Sequence, residues 1–221
     1  MRRHTLIATV ALLASLPAHA NEIANGGFEA PALTTGQYVY PIATLSSWAF
    51  GADTGVINAS GASSWYGSTS PSGFAGAQYA FVQRAGTLSQ TFTVSATGDF
   101  DLTWLEGSRP NLGRFNGLQT YQVLLDGTPE GSFSTPNGEN FTSHSVTGLS
   151  LIAGSTHVLT FQGRTETDST AFIDQVTLAT NGVATNVPEP ASLAVMATAL
   201  GSLVVARRRR RNPAPTTLAA G

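Results

Sequence analysis

The stretch GDFDLTWLEGS, Gly98 to Ser108, sets Asp99 and Asp101 two residues apart with Glu106 close behind. On a strand the two aspartates share one face about 6.7 Å apart, inside the roughly 5–9.5 Å window that paired carboxylates need for glycoside hydrolysis. Phe100, Leu102 and Trp104 alternate with them and claim the inward face. The aspartates therefore face water, where a carboxyl has no cause for the raised pKa of a general acid. His144 and His157 stand at no metal-ligand spacing and read as ordinary strand residues. Gly-x-Ser-x-Gly, Gly-x-x-x-x-Gly-Lys and His-Glu-x-x-His are absent. With no cysteine there is no thiolate nucleophile, disulfide or thiolate metal site. The expectation is a protein without catalysis of its own.

The elements that would carry these residues are strands. Period-two alternation runs through Phe100–Trp104 and again through Tyr121, Val123 and Leu125; Leu88, Phe92 and Val94 predict a third strand, Val158–Phe161 and Phe172–Leu178 two more. Asp126-Gly127, Pro136-Asn137-Gly138 and Ala153-Gly154 are turn signals at spacings that suit an antiparallel sandwich. Residues 21–80 read mostly as loops, and Ser60–Gly76, rich in Gly and Ser, either covers an edge of the sandwich or presents Trp65 and Tyr66 at its rim. Eleven Phe, five Tyr and three Trp can supply the core of one domain in 221 residues. The overall charge of −2 hides an asymmetry: seven of the eleven arginines lie at the chain ends, and between Asn21 and Val187 four arginines against twelve carboxylates leave −8. So acidic a middle argues against nucleic acid as a partner.

The two ends read as addresses. Met1-Arg2-Arg3-His4, an apolar run from Leu6 to Leu16 and Ala18-His19-Ala20 describe a secretory signal peptide, residues 1–20, cleaved after Ala20. Residues 21–179 are then the β-sandwich domain and 180–186 a linker. Ala191 to Ala206 is an uncharged apolar run, about 24 Å long as a helix against a hydrocarbon core of roughly 30 Å. It is a marginal transmembrane helix. Arg207, Arg208, Arg209, Arg210 and Arg211 would hold its end on the cytoplasmic side as a stop-transfer cluster. Pro188 and Pro190 keep the preceding segment extended.

Val187-Pro188-Glu189-Pro190, the apolar helix and the arginine cluster, residues 187–211, together resemble the PEP-CTERM sorting signal of Gram-negative bacteria that make extracellular polysaccharide. That resemblance implies an exosortase-type processing enzyme as partner, a transient stay in the inner membrane, and a final place at the envelope surface or outside the cell. The tail, residues 212–221, departs from the usual pattern, in which such signals stop soon after the arginines.

NGGFEAP, Asn25 to Pro31, resembles the opening of carbohydrate-binding modules with the galactose-binding-like jelly roll, and DSTAFIDQVTL, Asp168 to Leu178, their closing strand. The resemblance implies an all-β fold, an antiparallel jelly-roll β-sandwich, and a structural calcium held by Glu29 and Asp174; the ion's need for six to eight oxygens is compatible with two carboxylates plus backbone carbonyls. It also implies binding of extracellular polysaccharide, with sugar rings stacked on exposed aromatic faces. Trp65 and Tyr66 are the candidate platforms and Arg109 and Arg114, in EGSRPNLGRFNG, the candidate donors; Trp48 and Tyr79 read as core. The alternatives are a self-associating matrix protein without specific glycan binding and, more remotely, a glycan hydrolase using Asp99 or Asp101.

Overall fold

The computed structural model describes residues 21–181 apart from 41–46, 64, 68–69, 111–117 and 136–137. The signal peptide, the sorting motif, the apolar run with its arginines, the tail and Arg114 lie outside the described residues. Within them the chain is all β: β1 (Tyr38–Val39), β2 (Ala49–Phe50), β3 (Thr54–Asn58), β4 (Gln78–Gln83), β5 (Thr87–Thr93), β6 (Gly98–Ser108), β7 (Gln119–Leu125), β8 (Thr128–Thr135), β9 (Thr142–Leu151), β10 (Thr156–Gly163) and β11 (Thr170–Thr180). They form two antiparallel sheets, β1-β3-β4-β11-β6-β9 and β2-β5-β10-β7-β8, in a jelly-roll β-sandwich.

Alternation builds the space between the sheets. Phe100, Leu102 and Trp104 on β6, Ala80 and Val82 on β4, Leu88 and Phe92 on β5, Tyr121 and Val123 on β7, and Leu159 and Phe161 on β10 are all buried in one cluster. Midway along β11 the alternation would fail without an extra residue. A register shift between Asp174 and Thr177, with Gln175 at φ 49°, turns Val176 and Leu178 back into the core and leaves Asp174 on the opposite face.

The six-stranded sheet is apolar on its outer face too. Ile57, Tyr79, Phe81 and Phe172 point away from the core and would stand in water were they not covered by Trp65, Tyr66, Phe74 and Phe141. Burying each such side chain is worth about 1.5–3 kcal/mol, which is why the Gly/Ser-rich segment after β3 lies across the sheet. Gly107 makes room for the cover: a Cβ there would stand 2.8 Å from the Phe141 ring. The outer face of the five-stranded sheet needs no cover, because Thr91, Thr93, Thr156, Ser132 and Ser134 are exposed hydroxyl residues.

The described residues of 21–80 are mostly turns and loops, as expected, but they also hold three short strands and the start of a fourth. β3 and β4 are buried on both faces, so they lack the alternation that betrays a half-exposed strand. β8 and β9 were not expected either; they are edge strands of polar composition. Thr180 closes β11 and Asn181 N donates to Asp99 O at 2.7 Å, so both are tied to the sandwich.

Candidate binding site

β1 is an edge strand paired to β3, with Tyr38 opposite Ile57. Cross-strand partners share a face, so Tyr38 and, two residues on, Tyr40 project on the covered outer side of the six-stranded sheet. These are the large exposed aromatics among the described residues, 42% and 38% accessible. Their rings lie 6.0 Å apart at 82°, and both lean on Trp65, at 5.7 and 5.6 Å, while Tyr40 also meets Phe81 edge-on at 5.0 Å.

Polar groups from four further parts of the chain converge beside them. Tyr40 Oη donates to Gln83 Oε1 at 2.7 Å, and Gln83 Nε2 donates to Asp168. Arg109 lies over the Trp65 ring at 4.6 Å, donates from Nε to Trp65 O at 3.2 Å, and pairs with Asp168 at 3.3 Å. Arg84 and Asp53 form a second pair, at 3.2 Å, close enough to be felt at Tyr40. Opposite Gln83 in register stands Thr170, fully buried, whose hydroxyl has no partner among the described residues. Burial pushes the Tyr40 phenol up to about 12, partly offset by the Arg109 charge; burial also lowers Arg109, and Asp168 opposes that. The corner therefore brings two exposed aromatic rings beside a linked set of hydroxyl, amide, carboxylate and guanidinium groups.

The expected platforms need correction. Trp65 and Tyr66 are each only 3% accessible, because the outer face of the sheet beneath them is apolar and takes their rings as its cover. Trp65 serves the corner as a buried support. Tyr66 is turned elsewhere, its hydroxyl donating to Gly61 O at 2.6 Å. Arg109 is in the corner, though packed on Trp65 instead of reaching out from a loop. Trp48 and Tyr79 are buried. Tyr38, Tyr40, Gln83 and Asp168 were missed; the signal available was the Tyr-Val-Tyr alternation before Pro41.

The catalytic alternatives gain little. Asp99 accepts from Ser150 Oγ at 2.5 Å, and Asp101 from Gly148 N and Asn181 Nδ2 at 3.2 and 3.1 Å, while neither is buried. Ser155 Oγ lies 2.7 Å from His157 Nε2, and His157 Nδ1 lies 2.7 Å from Asp126, the spacing of a nucleophile, a base and an orienting acid. Yet Ser155 Oγ also donates to Ile152 O at 2.6 Å, and the amides of Gly154 and Ser155 are spent on Val94 O and Ile152 O. The Ser155 turn therefore offers neither of these amides to an oxyanion, and the three side chains link the turn at Asp126 to the turn at Gly154.

Glu106 is the buried carboxyl of the interior. Tyr121 Oη donates to it, Trp104 Nε1 donates to Tyr121 Oη at 2.8 Å, and His144 Nε2 stands 3.8 Å away. Burial pushes the Glu106 carboxyl up, against the Tyr121 bond and the His144 charge, with Glu139 adding a small rise. A carboxyl raised in the folded state stabilises fully below its unfolded value, and that contribution is lost as pH rises through the folded value. Glu106→Gln should therefore flatten the decline in urea midpoint as pH rises above the ordinary carboxylate range; an unchanged slope would place the ionised form of Glu106 in the fold at no cost.

Glu29 and Asp174 do converge. Glu29 Oε1 accepts from Ala77 N and Gln78 N at 2.7 and 2.9 Å, and Asp174 accepts from Ala75 N and Gln175 N at 2.8 and 2.7 Å. Gly76, at φ 74°, permits this: a Cβ would meet Glu29 Oε1 at 2.1 Å. Asp174 is fully buried, and burial first, the Glu29 charge in smaller measure, push its carboxyl up to about 6 against its two backbone N–H bonds. No group of three or more His, Asp or Glu able to hold a metal occurs among the described residues. A calcium ion here would have these two carboxylates as its acid ligands and would need further oxygens to complete its shell.

No protein-family model and no curated protein matches the chain. Among solved structures it is similar to TmCBM61 in complex with β-1,4-galactotriose, at 17% identity and TM-score 0.47, over 73% of this chain and 99% of that one. It is similar also to the enzymatically active domain of bacteriophage CBA120 tailspike protein 4 (13%, 0.44, 72% of this chain and 21% of that one). A family 35 carbohydrate-binding module from an environmental isolate follows, at 14% identity and TM-score 0.37, over 51% and 78% of the two chains. The fold assignment rests on the strand order and register above.

Proposed function

We propose that this chain is an exported, non-catalytic glycan-binding protein of the cell surface or extracellular matrix, which holds extracellular polysaccharide at the Tyr38–Tyr40–Arg109–Asp168 corner. The observation that carries the reading is that the exposed aromatic rings stand beside a chain of hydroxyl, amide, carboxylate and guanidinium groups, the combination that stacks a sugar ring and bonds its hydroxyls. Tyr38→Ala should weaken binding to a responsive polysaccharide at least tenfold in affinity electrophoresis with the melting temperature little changed, since the residue lies on an exposed edge strand. Retention of full affinity would remove the corner from the reading.

The Val187–Pro190 motif, the apolar run 191–206 and Arg207–Arg211 support sorting by an exosortase-type enzyme after export. Intact mass of the protein from cells with and without a cognate exosortase tests this. Loss of everything beyond the Pro-Glu-Pro region only when the enzyme is present is the expected result; an identical mass in both strains would leave the segment a plain anchor. Glu29 and Asp174 are proposed to hold a calcium ion, which would neutralise two neighbouring carboxylates and fasten the covering segment to the first and last parts of the domain.

A further inference from the structure

We infer that the corner takes a single terminal or branching sugar unit of an uncharged, soluble glycan, and neither the flat face of a crystalline polysaccharide nor the interior of a polyanionic chain. The inference rests on the glycan reading above and adds the ligand class. Its first support is the angle between the rings. A crystalline face presents sugar rings in one plane and is matched by aromatic faces in one plane. Tyr38 and Tyr40 meet at 82° with centroids 6.0 Å apart, so they offer surfaces at a right angle. When one ring stacks on the face of a pyranose, the other stands as a wall beside it. Two contacts of this kind accommodate one sugar and close off continuation of the chain in the plane of the stack.

The second support is charge. Arg109 is paired with Asp168 and Arg84 with Asp53, so two cations and two anions balance at the corner. The surrounding sequence between Asn21 and Val187 carries −8. A carboxylated or sulfated chain would find no net positive field here and would approach repulsion within a Debye length, about 8 Å at physiological salt. The third support is the neutral Tyr40 hydroxyl, carried on an exposed ring and held by the Gln83 amide behind it. Such a group exchanges bonds with sugar hydroxyls without desolvating a second charge.

Chain length is the discriminating variable. A site for a terminus counts one target per chain whatever the length, whereas a groove for chain interiors gains both targets and contacts as the chain grows. The experiment is calorimetry of the full chain in mild detergent with β-1,4-linked galacto-, gluco- and manno-oligosaccharides of two to six units. It runs beside pull-down on microcrystalline cellulose and chitin, and beside titration with polygalacturonate. The expected result is saturable binding of at least one soluble series, with affinity per chain constant within about twofold from three to six units. Tyr38→Ala should lower it at least tenfold, and Tyr40→Phe, which keeps the ring and removes only the bond to Gln83, by a smaller factor. Affinity rising more than tenfold from three to six units overturns the inference in favour of a groove. Binding to the powders or to polygalacturonate that Tyr38→Ala abolishes overturns it while leaving a glycan-binding protein, because the corner then takes a ligand it is inferred to refuse. No binding to any of these probes, by a protein whose near-ultraviolet circular dichroism is native, overturns the glycan reading itself and this inference with it.

Discussion

Trp65→Ala should destabilise the domain by about 3–5 kcal/mol, on the order of 10 °C in melting temperature, and should abolish glycan binding together with that stability. The first effect follows from position. Trp65 packs on Phe81 at 4.3 Å and lies under the Tyr38 and Tyr40 rings, so truncation opens a cavity between the covering segment and the sheet. The second follows because Arg109 rests on the face of Trp65. Without the ring the guanidinium loses its seat, and both tyrosines lose their backing. Tyr66→Ala is the comparison: it also lies in the cover and should also cost stability, yet its hydroxyl bonds Gly61 and no ring contact among the described residues ties it to the corner. Scanning calorimetry and oligosaccharide titration at a temperature where both variants are folded separate the effects. If Trp65→Ala binds as the parent does while folded, the corner is not positioned by Trp65 and the glycan is held elsewhere.

The half-exposed strands were legible because one face had to be wet. Phe100, Leu102 and Trp104 alternate with Asp101 and Thr103, and Tyr121 and Val123 with Gln122, so period two appears directly in the residue types. β3 and β4 were not, since Thr54–Asn58 and Gln78–Gln83 are buried on both sides and hydrophobicity does not alternate along them. That failure has the same origin as the misplaced platforms. A sheet whose outer face is also apolar must be covered, and the nearest aromatics, Trp65 and Tyr66, are drawn into the cover. Nothing in SGASSWYGSTSPSGFAG by itself distinguishes a rim from a lid; the deciding residues, Tyr79, Phe81 and Phe172, lie elsewhere in the sequence. Tyr38 and Tyr40 escape the lid because one lies in, and the other just after, a two-residue strand at the sheet edge.

Calcium should raise the melting temperature of the chelator-treated protein by roughly 5–10 °C at an ion concentration a hundred times its dissociation constant. Such an excess is worth about 2.7 kcal/mol, and a domain of this size shifts about 2–4 °C per kcal/mol. The physical ground is the pair formed by Glu29, from the opening segment, and Asp174, from the bulge in the last strand. Both carboxylates point at the Ala75–Gln78 backbone. Asp174 is fully buried with another carboxylate nearby, and its opposing partners are backbone N–H groups. A divalent cation held there would convert that repulsion into attraction and fasten three segments far apart in sequence, as a cross-link would. Asp174→Asn removes one acid ligand and the buried charge together. In chelator the variant should melt close to the parent, because the relief of charge offsets the loss of one accepted N–H bond, whereas with calcium it should fail to gain what the parent gains. Glu29→Gln should behave alike, with a smaller change in chelator, since Glu29 is exposed. Equal calcium responses in parent and Asp174→Asn would assign any stabilisation to ions elsewhere on the acidic surface. No response in the parent would leave Glu29 and Asp174 as a clamp made of hydrogen bonds to the chain alone.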